Sequence, residues 1–163
     1  MSVREKDNPQ LYDKIQEQNL LRQYDLLSNC IEIGLEKGIE AFDKVPHLMD
    51  MFFSFIHENW NVEGVGDQPT GLAAFALWRL NRIHRFVEGN GRTARAACYY
   101  LICLHYGALL PGKRIVPERI RENREPYYAA LRAADHAWAE GHIDVSAMAD
   151  YLADLLKGQL SER

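Results

Sequence analysis

Apolar residues recur every three or four positions along most of the chain, the spacing that lines one face of an α-helix. After Pro9 the set Leu20, Tyr24, Leu27, Ile31 and Leu35 keeps this period. Gly34 and Gly38 weaken it. Ile31-Glu32-Ile33 and Ile39-Glu40-Ala41-Phe42, around Lys37-Gly38, would also suit a short hairpin, although helix is the preferred reading. Pro46 fits the first turn of a helix carrying Leu48, Met49, Phe52, Phe53 and Ile56. Residues 61–70, with Gly64, Gly66 and Pro69, read as a loop. From Leu72 to Ile83 the string LAAFALWRLNRI is apolar almost all round, which marks a central, buried helix. A glycine-rich turn leads to a second such helix, Arg92 to Tyr106, ended by Gly107 and Pro111-Gly112. Pro117 and Pro126 each open a helix, the second carrying Tyr127, Tyr128, Leu131 and Trp138 and closed by Gly141. Asp144 caps a last amphipathic helix with Met148, Tyr151, Leu152, Leu155 and Leu156. The expected fold class is all-α.

Composition narrows the picture only a little. A chain of 163 residues suits one domain, and no repeat or low-complexity linker divides it. The formal charge of -4 argues against a nucleic-acid partner, whose binding surfaces need a basic excess. Any anion site must therefore be local. Cys30, Cys98 and Cys103 are odd in number and form no CxxC pair, so reduced thiols are expected, with Cys98 and Cys103 packed as small hydrophobes. The charged N-terminus lacks the apolar core of a signal peptide. The longest apolar run, Ala96 to Leu104, is well short of the ~20 residues of a membrane span. The expectation is a cytoplasmic protein with no membrane partner.

The chemistry concentrates between the two buried helices, in His84-Arg85-Phe86-Val87-Glu88-Gly89-Asn90-Gly91-Arg92-Thr93-Ala94-Arg95. Gly89-Asn90-Gly91 leaves successive backbone N–H groups unhindered just before a helix start, an anion nest backed by the helix dipole. Arg92 and Arg95 are three residues apart and share a face. Their charge is disfavoured by that dipole, so a phosphate is the expected counter-charge. Glu88 would repel such a ligand unless a cation such as Mg²⁺ stood between them. His84 is the side chain best suited to take a proton near neutral pH. Together these residues describe phosphoryl or nucleotidyl transfer.

The same string resembles the signature HxFx(D/E)GNGRxxR of the Fic (filamentation induced by cyclic AMP) family, with every fixed position present. The resemblance runs from about Pro46 to Leu156 and includes Tyr127-Tyr128-Ala129-Ala130-Leu131, similar to a YYxAL pattern. It implies a single domain over 1–163, with residues 1–45 as an N-terminal helical region and 46–156 as a Fic-like helical bundle carrying the signature loop between two central helices. It implies transfer of AMP from Mg·ATP to a Ser, Thr or Tyr hydroxyl of a protein target. By that resemblance His84 deprotonates the hydroxyl and Glu88 positions Mg²⁺. Gly89, Asn90 and Gly91 cradle the phosphates, Arg92 and Arg95 hold the β- and γ-phosphates, and Phe86 anchors the loop in the core.

Three positions depart from the family pattern. Arg85 stands where proline is commonest. Between Leu35 and Pro46 the chain has only EKGIEAFDKV, where many members carry a hairpin flap that pins the target. Ser28-Asn29-Cys30-Ile31-Glu32-Ile33 matches an inhibitory (S/T)xxxE(G/N) motif except at Ile33, so Ser28 and Glu32 could restrain the site through Arg95. Several readings stay open: another nucleotide donor, a flap-deficient domain that binds nucleotide or a partner without transfer, a separate antitoxin-like inhibitory chain, and a homo-oligomer. The Doc-like kinases of the same superfamily typically carry ANK where this chain has Gly89-Asn90-Gly91.

Overall fold

The computed structural model describes residues 35–162, apart from 64, 65, 67, 85 and 87. Six helices and no strand occur among them: α1 Leu35–Asn59, α2 Gly71–Ile83, α3 Asn90–Tyr106, α4 Val116–Glu122, α5 Glu125–Ala139 and α6 Ser146–Ser161. The chain divides into two compact units, Met1–Pro46 and His47–Arg163. Of the first, the described part is the helical stretch from Leu35. The hairpin alternative therefore fails over Lys37 to Phe42, which is helical, whereas Ser28, Cys30 and Glu32 lie outside the described residues.

Pro46 does not open a helix. It lies inside α1. The reason is visible in the spacing of Leu35, Ile39, Phe42, Val45, Met49, Phe52 and Ile56, which carries the helical period straight through the proline. The missing N–H removes only the bond to the Phe42 carbonyl.

In the second unit α2 is the central element. Leu72 through Arg79 are all buried, as expected of a helix apolar on every side. Small residues Ala73, Ala74, Ala94 and Cys98 sit in the core shared by α2 and α3, where short side chains let helix axes approach closely. Val116, Ile120, Tyr127, Met148, Leu152 and Leu156 complete that core from α4, α5 and α6. Cys98 and Cys103 are buried free thiols, and burial pushes the Cys98 thiol well up. An aromatic row extends the packing: Phe55 stacks on Phe75 at 3.9 Å, and Trp78 meets Trp138 at 5.8 Å. Arg79 is almost buried with its guanidinium 4.8 Å from the Trp138 ring centre, so its charge is offset by the aromatic face.

One buried amide holds the connection after α3. Gln159 on α6 is fully buried; its Oε1 accepts from the Val116 N–H at 2.9 Å. Its Nε2 donates to the Tyr99 hydroxyl and the Pro111 carbonyl, each at 3.0 Å. Every polar atom of that side chain is thus satisfied, which a buried amide requires. Gly112 passes so close that a Cβ there would stand 2.7 Å from Gln159 Cγ. No described helix is long and apolar enough to cross a membrane.

Candidate functional site

The site forms where the end of α2 faces the start of α3. The last carbonyls of a helix have no intrahelical partner, and α2 ends at Ile83. His84 follows in the left-handed region (φ 51°, ψ 48°), an unusual conformation for a residue with a side chain. This turn brings its Nδ1 to 2.8 Å from the Asn81 carbonyl oxygen. A carbonyl only accepts, so the contact places the proton on Nδ1 and leaves the Nε2 lone pair open. His84 is exposed.

The loop is fastened by Asn90. Its Oδ1 accepts from the Phe86 N–H at 2.8 Å, and its Nδ2 donates to the Phe86 carbonyl. Asn90 is buried, and both its oxygen and its nitrogen bond the Phe86 peptide. The clasp does not use the Asn90 main-chain N–H, the group on which the expected nest draws. Phe86, expected to anchor the loop in the core, is instead 42% exposed. It lines a small cavity of about 190 Å³ with Met49, Phe53, Leu80 and Thr93. The peptide of Phe86 helps to hold the loop.

Helix α3 starts at Asn90, two residues before the expected Arg92. Gly89, at φ 89°, is its cap residue, and its carbonyl accepts the Thr93 N–H at 2.9 Å. No side chain caps this end. The N–H groups of Asn90, Gly91 and Arg92 lie in the first turn, where no intrahelical carbonyl can reach them. Both arginines fold back over the turn. A Cβ on Gly89 would meet Arg92 Nη2 at 3.6 Å, and one on Gly91 would meet Arg95 Nη1 at 3.3 Å. Arg82, Arg114, Arg119 and Arg132 each have a carboxylate partner, whereas among the described residues Arg92 and Arg95, like Arg79, Arg121 and Arg124, have none. Unpaired guanidinium groups over unbonded N–H groups at a dipole's positive end are the elements from which an anion site is built.

Glu88 is exposed in the loop just before this turn. Among the described residues no three His, Cys, Asp or Glu gather to hold a metal. A single carboxylate completed by waters and phosphate oxygens suits Mg²⁺, which seldom needs a full protein cage. Beside the arginines a cleft of about 430 Å³ runs along α3 to α4, lined by Arg92, Arg95, Tyr99, Tyr100, Ile115 and Arg121.

Sequence reasoning missed Asn81. Its Nδ2 donates to the Leu77 carbonyl at 2.6 Å and to the Tyr127 hydroxyl at 2.9 Å. Tyr127 is 3% exposed, and burial pushes its hydroxyl up to about 12 against the opposing pulls of Arg95 and Asn81. It stays protonated at neutral pH. The expected core role of Tyr127 was legible, but its link to Asn81 spans 46 positions and has no local signal.

A model of the Fic/DOC family matches residues 7–102, more than half of the chain. No curated protein and no solved structure gave a match.

Proposed function

The chain belongs to the Fic/DOC family, and on that premise we propose that it transfers AMP from Mg·ATP to a hydroxyl of a protein target. The observation that carries this reading is the pairing of a tautomer-fixed His84 with an uncapped, doubly arginine-flanked helix start. His84 Nε2 takes the proton of the target hydroxyl, and the hydroxyl oxygen attacks the α-phosphorus. The bond from that phosphorus to the β-bridging oxygen breaks, and pyrophosphate leaves. The N–H groups of the first α3 turn hold phosphate oxygens in line for this attack, while Arg92 and Arg95 neutralise charge on the leaving diphosphate. Mg²⁺ held by Glu88 and phosphate oxygens would supply further charge neutralisation.

The helix over residues 35–46 leaves no hairpin flap there, so the target must be gripped by other surfaces. Glu32 pairing with Arg95, or a separate chain doing the same, would restrain the enzyme by taking a phosphate partner. Incubation with Mg²⁺ and each of the four nucleoside triphosphates, followed by intact-mass and peptide mapping, tests the donor and the acceptor. The expected product is AMP esterified to a Ser, Thr or Tyr hydroxyl. Nucleotide binding without any mass increment on this chain or on proteins of a cell extract would instead support a binding domain.

A further inference from the structure

The reading of His84 as base leaves open what holds its ring in register with the phosphate turn. The last turn of α2 supplies an answer in one residue. The Asn81 carbonyl receives His84 Nδ1 at 2.8 Å. The Asn81 amide nitrogen spends both hydrogens, one on the Leu77 carbonyl at 2.6 Å and one on the Tyr127 hydroxyl at 2.9 Å. With both hydrogens committed, the amide plane is fixed and so is the direction of Oδ1. That oxygen lies 3.7 Å from where a Cβ on Gly91 would sit. One side of Asn81 thus sets the base, and another abuts the anion turn.

The far end of this arrangement is rigid. Tyr127 belongs to α5, outside the loop, and is buried in the core with Leu77, Cys98 and Met148. Its hydroxyl also lies within the field of Arg95. A free helix end frays, and its carbonyls tilt toward whatever donors are near. Tying Asn81 to a core tyrosine removes that freedom at the carbonyl that orients His84.

We propose that Asn81, locked by Tyr127, is the positioning residue that holds the His84 ring in catalytic register with the Gly91 turn. This inference rests on the reading of His84 as general base. Misplacement by about 1 Å costs on the order of a hundredfold in rate. The N–H groups and both arginines stay in place when the lock is removed, so nucleotide affinity is largely kept.

The test uses the full chain with Tyr127→Phe, which deletes one oxygen and keeps the ring, and Asn81→Ala. Three quantities are measured at equal folded concentration: kcat for AMP transfer, KM for ATP, and the ¹⁵N shifts of the His84 ring above its titration range. Each variant is expected to lose about tenfold to a hundredfold in kcat with KM within about twofold. The His84 ring is expected to pass from a single Nδ1–H tautomer to a mixture. An unchanged kcat, or a wild-type tautomer in both variants, overturns the proposal. His84→Ala separates the two levels: transfer surviving in it removes the base reading itself. Transfer lost in it but intact in both lock variants removes only the role of Asn81. The tautomer is read on the protein alone, so the lock is testable before any target is identified.

Discussion

Replacing Asn90 with alanine should open the signature loop, and the cost can be worked from two contacts. The Asn90 side chain accepts from the Phe86 N–H and donates to the Phe86 carbonyl. Each such bond contributes about 0.5–1.5 kcal/mol net, so both together contribute about 1–3 kcal/mol. Phe86 is partly exposed, and water can replace part of what is lost, which places the cost in the lower half of that range. For a chain of this size about 1–2 kcal/mol corresponds to a fall of roughly 2–8 °C in Tm. Circular dichroism melting and amide exchange at Phe86 measure the two consequences. AMP transfer should fall more steeply than stability, because the loop sets the spacing between His84 and the first turn of α3. Asn90→Asp keeps the acceptor for the Phe86 N–H and adds charge at a favourable helix start. It also sets a second acceptor against the Phe86 carbonyl, so it should melt below wild type and weaken ATP binding by repulsion. If Asn90→Ala shifts Tm by less than about 1 °C and leaves Phe86 exchange unchanged, the clasp does not hold the loop.

Three further outcomes are expected. Glu88→Gln, or EDTA with the wild type, should weaken ATP binding in calorimetry, since an unshielded carboxylate repels a triphosphate; identical affinities would clear Glu88 of any metal role. Arg114 and Arg119 hold the Glu162 carboxyl at about 2, below its ordinary 4.5. A carboxyl depressed on folding stabilises fully above its unfolded value and loses that contribution as pH falls through the folded one. The Tm gap between wild type and Glu162→Gln should therefore be largest above about 4.5 and close toward about 2; a gap that stays constant would assign it to packing. Glu32→Gly should raise self-modification about ten- to a hundredfold, as expected for loss of a charged hydrogen bond of about 1.5–3 kcal/mol to Arg95. Equal autolabelling time courses would leave restraint to another chain.

The helical architecture was legible because its signals are local. LAAFALWRLNRI has no polar face, and α2 is buried throughout Leu72 to Arg79. Pro117 and Pro126 do open α4 and α5, whereas the cap of α6 is Val145 and not Asp144, which lies one place earlier and accepts the Ser146 N–H at 2.9 Å. Pro46 misled because proline favours a first turn, yet the apolar period on both sides of it is continuous and outweighs one missing donor. The loop chemistry was legible as residue types: the nest, the back-folded arginines and the histidine can be placed from spacing. How those groups are held was not. Asn90 grips the Phe86 peptide, Phe86 is partly exposed, and Asn81 reaches Tyr127 on another helix. Such contacts depend on where distant helices come to rest, and no residue period encodes them.

The central claim is nucleotidyl transfer through His84, and parallel incubations with α-labelled and γ-labelled ATP test it most directly. Wild type and His84→Ala are each mixed with Mg²⁺ and cell extract, at equal folded concentration, and protein-bound label is followed over time. The account predicts label from the α-position only, on a protein hydroxyl. The rate should fall by about 10²–10⁴-fold in His84→Ala, the span of a positioned general base, while ATP binding persists. Label arriving from the γ-position, or α-label that accumulates equally fast without His84, would contradict it.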